Sequence, residues 1–246
     1  MTAALSVQGL CKSYGGLRVT HAVSMEIQPG ERHLLIGPNG AGKTTLFNLI
    51  AGDIAADAGE IRLMGQDVTR DTTASRAQAG LARTYQIVTL FERDTLLHNV
   101  TLALMARLPL RWRHWGTLGR QTAVTHDALH ALEIAGLAGK ADIPAGQTSY
   151  GEKKRLEIAM ALSQRPKVLL LDEPFAGLSA EERTTIYTLL ISIDRTVTII
   201  MIEHDMSVAL SFADRITLLH YGEVIMAGTR QEVVDDPRTR ELYLGS

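Results

Sequence analysis

Three features of the chain predict an α/β fold built on a mostly parallel sheet. Short apolar runs alternate with segments whose apolar residues recur at helical spacing, the pattern of parallel strands covered by helices. A glycine-rich turn, Gly37-Pro38-Asn39-Gly40-Ala41-Gly42-Lys43-Thr44-Thr45, separates one apolar run (His33 to Ile36) from one helical segment (Thr45 to Ala51). A second apolar run, Val168 to Leu171, leads straight into two carboxylates, Asp172 and Glu173.

Leu5 to Leu10 alternates loosely and is expected to be a strand, as is Val23 to Ile27, which Pro29-Gly30 ends. These two supply an antiparallel element at the N-terminus. After the glycine-rich unit, Asp57-Ala58-Gly59 reads as a turn into a strand from Glu60 to Met64. Thr72 to Gln78 reads as a polar helix and Leu81 to Tyr85 as a strand leading to Gln86. From Leu96 to Ala138 the periodicity is helical, with amphipathic runs at His98 to Arg107 and Thr125 to Ala135. Between them lies a basic, aromatic break holding Trp112 and Trp115, which suits either a contact with a membrane surface or a partner, or a solvated loop. This block is expected to be a helical subdomain, about residues 87–165, inserted in the α/β core. A helix from Gly151 to Ser163 follows. Val168 to Leu171 and Val197 to Ile202 are continuous and apolar, as strands buried on both faces should be. Helices are expected at Ala180 to Ile193, from Asp205, from Arg230, and from Pro237 to Leu244. Strands are expected near Ile216 to Leu219 and Glu223 to Met226.

The chain has 246 residues, which suits one domain with room for a subdomain. A net charge of −2 argues against a large nucleic-acid footprint. The single cysteine, Cys11, rules out an internal disulfide, is compatible with a reducing compartment, and reads as a packed thiol. No run has the length of a membrane span, and the first residues lack the basic and then apolar blocks of a secretory signal. Work at a membrane would therefore run through partners.

The glycine-rich turn fits the P-loop pattern G-x-x-x-x-G-K-[ST] in the strand-to-helix context that the pattern requires. Its glycines let the backbone curl so that several N–H groups, including those of Asn39, Gly40, Ala41 and Gly42, converge on one anion. The following helix adds its positive dipole end. Lys43 is placed to reach the β- and γ-phosphates, and the Thr44 hydroxyl to ligate Mg²⁺. In a P-loop ATPase, Asp172 at a strand end holds Mg²⁺ and Glu173 accepts a proton from the attacking water. Thr148-Ser149-Tyr150-Gly151-Glu152 precedes a basic amphipathic helix, so Ser149 and Gly151 form either a plain N-cap or a second anion site. One nucleotide has no use for two such sites on one chain. Two chains facing head to tail would use both.

In this order, the motifs resemble the nucleotide-binding subunit of ABC transporters over essentially the whole chain. Ser149 to Lys153 resembles the family signature, with Thr148, Tyr150 and Glu152 replacing its usual Leu, Gly and Gln. Gln86 resembles the residue that touches both Mg²⁺ and the transmembrane partner. Phe175 to Ser179 resembles the D-loop, with Ser179 where many members carry Asp. His204, in Ile202-Glu203-His204-Asp205-Met206, resembles the switch histidine of the γ-phosphate, although alone it reads as a strand-end histidine. Tyr14, in Ser13-Tyr14-Gly15-Gly16, resembles the aromatic that stacks on adenine, an interaction of about 1 kcal/mol; alone it reads as a surface aromatic. The resemblance also implies Val19 as a nucleotide-binding residue.

Arg83-Thr84-Tyr85-Gln86, Tyr150-Gly151 with Arg155 to Ala159, Pro174 to Leu178, and Tyr243-Leu244-Gly245 are similar to the branched-chain amino-acid importer ATPases of the LivG type. The resemblance implies one ATP-binding domain over residues 1–246, with a short C-terminal helical extension over 229–246. It implies ATP and Mg²⁺ as ligands, with Lys43, Thr44 and Thr45 on the phosphates, Thr44, Gln86 and Asp172 at the metal, and Glu173, His204, Gln86 and Lys43 in catalysis. It implies a second ATP-binding subunit, two transmembrane permease subunits and, indirectly, an extracytoplasmic solute-binding protein. The place implied is the cytoplasmic face of the plasma (inner) membrane, peripheral, and soluble when isolated. Two other members of the family compete with the importer: a soluble ATPase, as in iron–sulfur assembly, and a lipopolysaccharide-export ATPase.

Overall fold

A computed structural model of the protein describes residues 2–85, 90–107, 122–203 and 206–243. The chain divides into two compact units. The first holds Met1–Leu81, Lys167–Glu173 and Asp194–Ser246, and the second Ala82–Pro166 and Pro174–Ile193.

The first unit contains two sheets. One is antiparallel, in the order β2-β1-β4-β5, from β1 (Leu5–Tyr14), β2 (Leu17–Ile27), β4 (Ala58–Leu63) and β5 (Gln66–Asp67). The other is mostly parallel. Its strands are β3 (Arg32–Ile36), β7 (Val168–Asp172), β8 (Thr198–Ile202), β9 (Arg215–His220) and β10 (Glu223–Thr229), plus β6 (Leu81–Arg83), which begins on the last residue of the unit's first segment. The order is β10-β9-β3-β8-β7-β6. β3, β7 and β8 are buried at every position and pair in parallel, which explains the apolar runs Leu34 to Ile36, Val168 to Leu171 and Ile199 to Ile202 within them.

Helix α1 (Lys43–Ala51) fills the core of this unit. Leu46, Phe47, Leu49 and Ile50 pack with Leu5, Val7, Val23, Ile27 and Ile61 of the antiparallel sheet and with Leu35, Leu170, Ile200 and Leu219 of the parallel one. Burying these side chains drives the unit's folding at about 1.5–3 kcal/mol for each large one. α2 (Thr73–Ala79) begins at an N-cap on Thr72, whose side chain accepts the Ser75 N–H.

Several boundaries shift from the sequence reading, each for a local reason. β1 and β2 run to Tyr14 and from Leu17 because they form one long hairpin, with Tyr14 opposite Leu17. Ala58 and Gly59 lie inside β4 rather than in a turn. There β4 breaks register with β1 between Gln8 and Cys11, and Gly59 takes φ +98° against the Gly9 carbonyl. β6 stops at Arg83, and the helices expected from His98 and Thr125 begin earlier.

The second unit holds α3 (Leu96–Arg107), α4 (Thr122–Ile134), α5 (Tyr150–Ser163) and α6 (Ala180–Ser192). α3, α4 and α5 pack on one another through Leu96, Val100, Leu104, Ala128, Leu132 and Leu156. Asn99 is fully buried and ties down the entry loop: its Oδ1 accepts the Phe91 N–H at 2.9 Å, and its Nδ2 donates to the Thr95 carbonyl at 3.0 Å. In the first unit, the closing helices α8 (Arg230–Asp235) and α9 (Pro237–Tyr243) follow β10, after α7 (Met206–Phe212) has bridged β8 and β9.

Candidate functional site

The turn between β3 and α1 has the geometry of an anion cradle. Gly42 takes φ +99°, and α1 starts there without a side-chain cap, so the first N–H groups of the helix stay available to a ligand. The helices α2, α5, α6 and α8 are instead capped by Thr72, Ser149, Ser179 and Thr229. Asn39 and Gly40 are exposed, Ala41 and Gly42 buried, Thr44 exposed and Thr45 half-buried. Lys43 is only 6% exposed, and its Nζ donates to the Gly37 carbonyl at 2.7 Å and the Pro38 carbonyl at 3.0 Å. Burial pushes its pKa below the ordinary lysine range, while the negative charges of Glu173 and Asp172 oppose that shift. The ammonium is thus held at the loop by carbonyl oxygens that a phosphate would replace.

Asp172 ends β7 and is buried. Glu173 follows at φ +49°, a left-handed backbone that costs a non-glycine residue about 1–3 kcal/mol. Its N–H donates to the Ile202 carbonyl of β8 at 3.0 Å, which fixes the turn against the neighbouring strand. Strain held at a carboxylate beside a buried lysine is what a pre-positioned base would show. An exposed hydroxyl (Thr44) and a buried carboxylate (Asp172) are hard oxygen donors, the chemistry that suits Mg²⁺.

Two strands clamp the loop from outside. A Cβ on Gly42 would meet the Val19 carbonyl of β2 at 2.7 Å, so Val19 borders the cradle through its backbone. The β9–β10 turn, Tyr221-Gly222, has φ of +46° and +77°, as a type I′ hairpin requires. The Gly222 N–H donates to the Ala41 carbonyl at 3.0 Å, and its carbonyl accepts the His21 N–H at 2.8 Å. Sequence reasoning missed Gly222. The dipeptide between two apolar runs was the available signal, masked because Tyr rather than Asn or Asp fills the first turn position. Tyr14 ends β1 at 49% exposure, its ring open to a partner.

In the second unit, Ser149 is the N-cap of α5. Its Oγ accepts the Glu152 N–H at 3.2 Å, while Glu152 accepts the Ser149 N–H at 3.0 Å, a reciprocal capping box. The Glu152 carboxyl sits below its usual pKa, chiefly because the Lys140 ammonium lies 2.6 Å away. Ser179 caps α6 in the same way with Glu182. Gly151 leaves no room for a side chain: a Cβ there would stand 2.5 Å from Glu182 Oε1. The plain-cap reading of Ser149 is therefore realised within the chain. Gln86, His204, Trp112 and Trp115 lie outside the described residues.

The family model described as "ABC transporter" matches residues 20–176. The chain is 34% identical to BraF, the high-affinity branched-chain amino acid transport ATP-binding protein of Pseudomonas aeruginosa, over 98% of this chain and 97% of that protein. It is 36% identical to LptB, the lipopolysaccharide export system ATP-binding protein of Acidithiobacillus ferridurans, over 100% of this chain and 98% of that one. Among solved structures, the ADP conformation of MJ1267, an ATP-binding cassette of an ABC transporter, matches with a TM-score of 0.88 at 28% identity over 100% of both chains. The dimeric post-hydrolysis state of the ATP-binding cassette MJ0796, bound to ADP and Pi, matches with a TM-score of 0.77 at 27% identity, over 92% of this chain and 98% of that one.

Proposed function

The chain belongs to the ABC transporter family, whose ATP-binding members hydrolyse ATP, and from that premise we propose that it powers import of branched-chain or related amino acids. The observation that carries the ATPase site is the convergence of buried Lys43, the uncapped start of α1 and the strained Glu173. The importer reading rests on the likeness to BraF.

In this reading the first N–H groups of α1 and the Lys43 ammonium bind the β- and γ-phosphates, and Lys43 exchanges its bonds to Gly37 and Pro38 for phosphate oxygens. Tyr14 stacks on the adenine, with Val19 bordering the loop. A water attacks the γ-phosphorus, its proton passes to the Glu173 carboxylate, and the bond from phosphorus to the β–γ bridging oxygen breaks, releasing ADP and phosphate. Mg²⁺, bound by Thr44, Asp172 and Gln86, would neutralise charge on the phosphate oxygens. His204 positions the γ-phosphate. Ser149 and Gly151 of a second ATP-binding subunit complete the site from the opposite side, in a dimer like the one described for the cassette MJ0796. Two permease subunits at the cytoplasmic face of the inner membrane receive the resulting motion, and an extracytoplasmic solute-binding protein delivers the solute. The whole chain acts as one ATP-binding domain, with its helical part as a subdomain.

Glu173→Gln keeps the shape and removes the base, so hydrolysis should fall by about a hundred- to ten-thousand-fold while ATP still binds. With ATP, this variant should elute as a dimer on size exclusion, and adding Ser149→Arg should abolish the dimer. Near wild-type turnover would move the base elsewhere. The likeness to LptB supports a second reading, lipopolysaccharide export, at similar identity. Loss of amino-acid uptake on deleting the gene supports import; unchanged uptake across a panel of amino acids, with a defect in the outer membrane, supports export.

A further inference from the structure

Asp57 is a surface carboxylate to which the nucleotide reading gives no role, yet its hydrogen bonds converge on the strand end that carries Tyr14. It stands just before β4. Its Oδ1 accepts from Lys12 Nζ at 2.8 Å, and its Oδ2 accepts the Ser13 backbone N–H at 2.7 Å. Its own N–H donates to the Cys11 carbonyl at 3.0 Å. Lys12 in turn lies 5.7 Å from the centroid of the Tyr14 ring. Three consecutive residues before Tyr14 are thus tied to one residue, two of them through its side chain.

The place of this tie explains its use. β4 pairs regularly with β1 only from Leu5 to Gln8 and slips before Cys11, so beyond that point the ladder gives way to the Asp57 side chain. On its other edge β1 is irregular too, with a shift between Lys12 and Ser13 opposite β2. Past the shift Ser13 and Tyr14 pair with β2 alone, so a strand end held on one edge would let an exposed tyrosine wander, and each side-chain torsion frozen on binding costs affinity. An exposed ion pair alone does little. One carboxylate shared between an ammonium and a backbone N–H is charge-assisted and directional, so it sets the strand as well as the lysine. Lys12 then adds a cation against the ring.

We propose that Asp57 is a positioning residue for the nucleotide base: through Lys12 and the Ser13 N–H it holds the Tyr14 ring in place to stack on a purine. The role rests on Tyr14 being the stacking residue. It concerns the base alone, since the phosphate contacts come from the β3–α1 turn.

The test uses the full chain and two probes, ATP and inorganic tripolyphosphate, which shares the phosphates and lacks the base. Asp57→Ala should weaken ATP binding about three- to tenfold, raise KM with kcat unchanged, and leave tripolyphosphate binding as in the wild type. Asp57→Asn keeps an oxygen for the Ser13 N–H and loses the ion pair, so it should fall between the two. In the Tyr14→Ala background, Asp57→Ala should add nothing. Equal weakening of ATP and tripolyphosphate would overturn the proposal by placing the effect in the phosphate loop or in folding. So would wild-type ATP affinity in Asp57→Ala when Tyr14→Ala is weakened. If Tyr14→Ala itself binds ATP normally, the stacking reading fails and the positioning role falls with it.

Discussion

Single residues in this site trade stability for function in opposite senses. Glu173 pays for its position with a left-handed backbone at φ +49°. Glu173→Gly should relieve that strain and stabilise the chain by about 1 kcal/mol while abolishing hydrolysis, checked by chemical denaturation beside an ATPase assay. A destabilised Glu173→Gly would mean that the side chain contributes more to the fold than its backbone costs. Gly222 is the reverse case. A Cβ there would stand 2.3 Å from the Val19 carbonyl, at a φ of +77°. Gly222→Ala should push the turn off the phosphate loop, break its bond to the Ala41 carbonyl, and cost about 1–3 kcal/mol of stability. ATP affinity should fall with it in a binding titration. Wild-type affinity would show that the loop holds its shape unaided.

Elements are held by their ends. α1 buries its C-terminus against Arg76 of α2, only 2% exposed, whose guanidinium donates to the carbonyls of Leu49 at 2.5 Å, Ile50 at 2.7 Å, Thr69 at 2.9 Å and Asp71 at 3.2 Å. Burial lowers the Arg76 pKa, opposed by the charges of Asp71 and Asp53. One side chain thus bonds two of the last carbonyls of the helix whose other end opens on the glycine-rich turn. Arg76→Met would strand these acceptors in the core, and denaturant titration should show a loss of about 3 kcal/mol or more. A loss under 1 kcal/mol would mean water reaches them. The capping boxes of α5 and α6 were half-legible. Ser149 with Glu152 and Ser179 with Glu182 have the S-x-x-E spacing, yet Ser179 drew notice only as a missing aspartate.

At the scale of the whole molecule, acid should be the weak side. Asp236 is held down to about 2, chiefly by Arg238, and Glu152 is lowered chiefly by Lys140. For Glu31 and Asp214 burial alone would raise the pKa, but other groups reverse it. His33 and the Gln28 N–H outweigh burial at Glu31, and Arg195 and the Arg32 N–H do so at Asp214. A carboxylate depressed in the folded state adds stability that is complete above its unfolded value and is lost as pH falls through its folded value. The denaturation midpoint should therefore hold steady from about pH 7 to 5 and drop below about pH 4. A loss already complete by about pH 5 would contradict this and point to histidine protonation instead.

By itself the sequence determined the parallel core and the glycine-rich turn between β3 and α1. Strands buried on both faces carry apolar runs, as Leu34 to Ile36 of β3, Val168 to Leu171 of β7 and Ile199 to Ile202 of β8 show, and a backbone anion cradle needs glycines at set spacings. Local chemistry of that kind is written in consecutive residues. Only the tertiary structure decided how far β1 and β2 extend, that Ala58 and Gly59 belong to a strand, that Glu173 is strained, that Gly222 bonds the β3–α1 turn, and that Arg76 closes the end of α1. Those outcomes depend on backbone carbonyls and N–H groups brought together across the chain, as in the contact between Gly222 and Ala41. Every residue carries the same backbone groups, so no side-chain pattern records which of them will meet.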